Sequence, residues 1–124
     1  MATATAFSLP DLLKICDYAW GLHPDYQKVE VESAEWLRKY DVVKDKELTR
    51  VLRTSCGLLC SYVYYYTTYD KLRTSTDFMN LLFVIEELTD TQAAVDVKEA
   101  AAVFLQALRT GECDGSPFSR MTNE

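Results

Sequence analysis

The sequence is poor in the residues that break regular structure, with 4 Gly and 3 Pro among 124 positions. That scarcity excludes collagen-like and low-complexity chains, and with 48% hydrophobic and 26% charged residues the composition is globular rather than disordered. Histidine is nearly absent: His23 stands alone beside Pro24, with no Ser or Cys motif around it, so a hydrolase triad has no support. No glycine-rich phosphate loop occurs. Positive charge is also scarce. Against 13 Lys and Arg there are 19 Asp and Glu, giving a formal charge of -6, and the basic residues form no cluster. Nucleic acid is therefore an unfavourable partner, because its affinity comes largely from neutralised phosphates, and an anionic membrane surface is disfavoured for the same reason. The longest apolar run, Leu81 to Ile85, is far short of the roughly 20 residues that cross a bilayer. The opening Met1-Ala-Thr-Ala-Thr-Ala6 lacks the basic and apolar regions of a signal peptide, which makes the cytoplasm the expected location.

What the chain does have is aliphatic content and helical periodicity. A chain of this length buries roughly two thirds of its unfolded surface, enough for one core. Cys16, Cys56, Cys60 and Cys113 then need not staple the fold and read as free thiols. Cys56 and Cys60 lack the paired knuckle spacing of zinc modules and read as buried. Residues 7–25, punctuated by Pro10, Gly21 and Pro24, suit an arm ordered by docking on other elements. From Tyr26, the residues Val29, Trp36, Leu37 and Tyr40 recur at helical steps. A second stretch from Lys46 to Tyr66 reads as one helix, which Gly57 weakens by about 1 kcal/mol relative to Ala. The third starts after Thr74-Ser-Thr-Asp77, where several side chains could cap it, and is apolar on nearly every face from Phe78 to Ile85. It is the expected central helix, surrounded by neighbours. A fourth runs from Gln92 to Arg109, and Thr110 to Pro117 breaks it. The fold class is all-α, with residues 1–124 forming part of a single domain.

The segment with chemical content is Glu86-Glu-Leu-Thr-Asp90, which meets the apolar run head-on. On a helix Glu86 and Asp90 lie four residues apart and Glu87 and Asp90 three, so carboxylates project from adjacent turns. Their mutual repulsion asks for a cation, and Mg²⁺ is a hard ion that takes a few carboxylates, keeps waters and fills its other positions with substrate phosphates. The plain alternative is a solvated helix end, since acidic pairs are common on surfaces.

Cys60-Ser-Tyr-Val-Tyr64 and the run from Arg73 to Asp90 resemble the first metal-binding region of class I terpene synthases, in particular the fungal sesquiterpene synthase group. Phe7-Ser-Leu-Pro-Asp-Leu12, Glu35-Trp36, Phe104-Leu105 and Arg120-Met-Thr-Asn-Glu124 extend the likeness over essentially the whole chain, matching the N-terminal portion of a family member. The family pattern Asp-(Asp/Glu)-x-x-(Asp/Glu) falls on Glu86, Glu87 and Asp90. The first position departs from it, with Glu displacing the carboxylate by about one methylene, and near-octahedral Mg²⁺ is strict about geometry. The family's second metal motif, Asn-x-x-x-Ser-x-x-x-Glu, and its diphosphate-sensing Arg are absent from these 124 residues.

The resemblance implies a partial isoprenoid-synthase helical bundle, with Mg²⁺ held by Glu86, Glu87 and Asp90. It also implies a prenyl diphosphate substrate such as farnesyl diphosphate, and metal-triggered ionisation followed by cyclisation. Phe83 matches an aromatic position that lines the pocket, where a ring face can stabilise a carbocation; an ordinary core role is the alternative. The tyrosines between Tyr62 and Tyr69 fit packing with surface hydroxyls better than a cavity lining. With one of two metal motifs, the 124 residues alone are expected not to turn over. A prenyl-elongating synthase would use a richer Asp-Asp-x-x-Asp pattern. The reading from a different class is a non-catalytic helical pseudoenzyme or helix-packing partner.

Overall fold

In the computed structural model, which describes residues 8–12, 14–16, 19–90 and 94–124, six helices follow one another. They are α1 (Tyr26–Tyr40), α2 (Asp45–Arg53), α3 (Cys56–Val63), α4 (Tyr69–Thr89), α5 (Ala94–Thr110) and α6 (Pro117–Asn123), and no strand occurs among the described residues. The all-α expectation holds. The boundaries differ from those read in the sequence, each for a local reason.

α1 buries Val29, Ser33 and Leu37, one residue per turn, and stops at Asp41 in the left-handed conformation at φ 52. The stretch expected as one helix from Lys46 to Tyr66 is two. Thr54 turns its hydroxyl back to the Val51 carbonyl (2.6 Å), and Ser55 then adopts φ 51, so the axis breaks before Cys56. The start of α3 is satisfied from outside, because the Glu30 carboxylate of α1 accepts from the Leu58 amide at 3.2 Å. Gly57 is buried against α1, where an added Cβ would stand 3.0 Å from the Glu30 Cα. Its value is therefore close approach of two helices, not weakness of one.

α4 begins at Tyr69, well before the expected cap, so Thr74 to Asp77 lie inside the helix. Thr76 is fully buried and returns its hydroxyl to the Leu72 carbonyl (2.9 Å), while Asp77 pairs with Arg73 one turn earlier (2.9 Å). α4 is central as expected, packing on α1, α2 and α3. It is not covered all round: Leu72, Leu81 and Val84 are buried, whereas Phe78 is 46% and Leu82 39% exposed. The segment Thr110 to Pro117 ends α5 and also starts α6, since Ser116 accepts from the Ser119 amide (3.1 Å) and Pro117 occupies the first turn. α5 packs chiefly on α6.

The main core gathers Leu37, Val43, Val51, Leu81, Val84 and Met121, and a second cluster joins Val29, Cys60 and Leu72. All four cysteines are free, with Cys56 and Cys60 buried. The arm departs from expectation, because Leu9, Leu12, Ile15 and Trp20 are exposed rather than docked. It is tied at its end by buried His23, whose Nε2 donates to the Thr67 carbonyl and whose Nδ1 accepts from the Asp25 amide, both at 3.1 Å. No helix among the described residues is long and apolar enough to cross a membrane.

Candidate functional site

Phe83, Glu86, Glu87 and Asp90 follow at steps of three, four and seven residues and so share one face at the C-terminal end of α4. Here the helix dipole is negative, which disfavours three carboxylates without a compensating cation. Arg50 of α2 supplies one such charge, reaching Glu87 at 2.7 Å. Glu86 and Asp90 are exposed and have no ion-pair partner among the described residues. Asp90 closes the helix, its amide donating to the Glu86 carbonyl (3.0 Å). Phe83 is half-buried and packs against the main core.

The donor set suits a hard divalent ion in kind: two open carboxylates one turn apart, with a third beside them. It is not gathered into a finished site. Among the described residues no group of three or more His, Cys, Asp or Glu side chains is arranged to hold a metal, and Glu87 is engaged by Arg50. Thr91 to Ala93, directly after the turn, lie outside the described residues.

Towards the N-terminus of α4 from this face, Tyr69, Arg73, Asp77 and Asn80 join α1 in a polar seam that no sequence motif marks. Buried Ser33 donates to Asp77 (2.5 Å) and accepts from buried Asn80 (2.7 Å). Arg73 holds Asp77 through Nε and reaches Glu32 through Nη1 at 3.4 Å, and Tyr69 donates to the same Glu32 oxygen at 2.5 Å. Burial and the Glu32 hydrogen bond push the Tyr69 phenol up to about 12. The seam fixes α1 against α4 and so sets the rotation of the acidic face. Its sequence signal was a serine at the core step of α1 and an asparagine inside an apolar run. Of the other tyrosines, Tyr62, Tyr64 and Tyr66 are exposed, which agrees with a surface role for their hydroxyls.

No protein-family model matches the chain. Curated relatives do. The bifunctional terpene synthase Agr4 of Cyclocybe aegerita is 37% identical over 99% of this chain and 36% of its own length. A Coprinopsis cinerea protein named linoleate 10R-lipoxygenase COP4 is 37% identical over 98% of this chain and 36% of its own length. The viridiflorene synthase Agr2 of Cyclocybe aegerita is 32% identical over 95% of this chain and 32% of its own length. The chain thus spans about a third of the length of the curated relatives it matches. An all-helical fold with an acidic turn closing its central helix, together with this identity along nearly the whole sequence, makes the chain similar to the fungal terpene synthases over the third of their length that it spans.

Proposed function

We propose that the chain carries the first metal-binding segment of a Mg²⁺-dependent sesquiterpene synthase acting on a prenyl diphosphate such as farnesyl diphosphate. The observation that supports this most directly is the position of Glu86 and Asp90, open carboxylates at the negative end of α4, on the face that also carries Phe83. Bound Mg²⁺ would supply Lewis-acid assistance to departure of the diphosphate. Glu86 and Asp90 would hold it, and Glu87 would join them by releasing Arg50. Phe83 would present its ring to the hydrocarbon part of the substrate. Because one metal motif is present, residues 1–124 alone bind without turning over.

The test incubates the purified chain with farnesyl diphosphate and Mg²⁺, following volatile products by gas chromatography and metal uptake by Mn²⁺ relaxation. The expected result is no product, with Mn²⁺ uptake that rises with the diphosphate and is lost in Asp90→Ala. Product formation abolished by Asp90→Ala would refute the inactivity. Uptake unchanged in Asp90→Ala would refute the metal assignment. Linoleate under oxygen, run in parallel, tests the chemistry in the name of the Coprinopsis cinerea relative.

A second reading, a non-catalytic helix-packing protein, draws on one observation: Phe78, Leu82, Leu105 and Leu108 are large apolar side chains between 39% and 49% exposed. Light scattering separates it, since that reading requires stable association of the chain through those residues.

A further inference from the structure

α4 lines a cavity with residues that play no part in the acidic turn. Phe78 and Leu81, together with Trp36 of α1, Leu108 of α5 and Met121 of α6, wall a space of about 350 Å³. That volume is at the lower end of the range, roughly 300–1,000 Å³, in which small-molecule sites fall. Phe83, Glu86, Glu87 and Asp90 do not line it. Two of its apolar walls stand open, Phe78 being 46% and Leu108 49% exposed, so the space is accessible to a molecule from solvent.

The polar groups in the cavity are nearly all engaged. Thr74 and Thr122 donate their hydroxyls to their own helices, at 3.0 Å each, and Glu124 is held by Lys39 at 2.8 Å. Arg73 is different. Its Nε serves Asp77 and its Nη1 serves Glu32, while Nη2 donates to no other group among the described residues. A guanidinium carries five N–H donors, so this one has donors to spare. Its charge, however, is already balanced by Asp77 at 2.9 Å and Glu32 at 3.4 Å, and Glu124 adds a further carboxylate to the lining. An entering anion would meet those carboxylates, whereas a neutral oxygen would accept from Arg73 without repulsion.

We infer that the cavity between Trp36, Phe78 and Leu108 is a binding site for a small, uncharged apolar molecule with one oxygen acceptor, which Arg73 hydrogen-bonds while the apolar walls cover the rest. The site is independent of the metal reading, and its test uses no activity. The probes are 1-naphthol, naphthalene and 1-naphthoate, titrated into the full chain by calorimetry, with amide chemical shifts locating the contact. 1-Naphthol binds saturably, about 3- to 10-fold more tightly than naphthalene, as one added hydrogen bond provides. It also binds more tightly than 1-naphthoate. Leu108→Trp fills the space from an exposed position and removes binding, and Phe78→Ala, also at an exposed position, weakens it at least 3-fold. Leu59→Trp, exposed on α3 and outside the cavity, leaves it unchanged. No saturable binding, or binding indifferent to both cavity variants, overturns the site. Equal affinity for naphthalene, or preference for 1-naphthoate, overturns the role of Arg73.

Discussion

Replacing Gly57 with alanine separates the helix as a local object from the helix as a packed one. Judged by propensity alone, Gly57→Ala inside α3 gains about 1 kcal/mol. The structure reverses the sign. The new methyl would stand 3.0 Å from the Cα and 3.1 Å from the amide nitrogen of Glu30, which are backbone atoms that cannot turn aside, and it would also meet the Glu30 carboxylate. Forcing α1 and α3 apart to admit a methyl costs about 1–3 kcal/mol. Displacing the Glu30 carboxylate removes the bond to the Leu58 amide, about a further 1.5 kcal/mol for a charged acceptor. The sum of these against the propensity gain is a net loss of about 1.5–3.5 kcal/mol. Urea unfolding followed by circular dichroism measures it: the midpoint falls in Gly57→Ala, and Glu30→Ala alone loses about 1.5 kcal/mol. Because the two residues touch, their effects are not additive, and the double variant is more stable than the summed losses predict. A higher midpoint for Gly57→Ala would refute the close α1–α3 contact and restore the reading of Gly57 as a simple weak point.

Ser33→Ala leaves the amide of buried Asn80 and the carboxylate of Asp77 each short of a partner, and thermal melting should register a loss of about 2–3 kcal/mol; a shift below about 0.5 kcal/mol would mean the seam is slack. Burial pushes the Cys56 and Cys60 thiols up, so neutral iodoacetamide followed by mass spectrometry should label Cys16 and Cys113 first and the buried pair only in denaturant. The Asp114 carboxyl is held down to about 2 by hydrogen bonds from Ser116 and Ser119. Its depressed value means that this tie is fully present above the ordinary 3.8 and is lost as pH falls through about 2. The Ser116 amide, which donates to the Asp114 carboxylate at 2.8 Å, should therefore shift its resonance in that window and be static there in Asp114→Asn.

The sequence by itself determined the helical class, the likeness to fungal terpene synthases, and the placement of Phe83, Glu86, Glu87 and Asp90 on one face, because each rests on spacing within a single helix or on the linear order of residues. It also marked Cys56 and Cys60 as free, buried thiols, since a chain of this aliphatic content needs no staple and their spacing is not that of a zinc module. Tertiary structure decided what those residues meet. The division of Lys46 to Tyr66 into two helices depends on a positive φ at Ser55 and on a cap from Glu30, which is 25 positions upstream of Ser55. The early start of α4 depends on Arg73 and Ser33 satisfying Asp77, which lets a polar run that looked like a cap continue as helix. Ser116 and Pro117, read as a stop, also begin a helix because the Asp114 carboxylate and the Ser116 hydroxyl anchor its first turn. Nor could periodicity report that Arg50 occupies Glu87 or that Phe78 and Leu82 face outward, for a helical wheel ranks faces by composition and only packing decides which neighbour covers them.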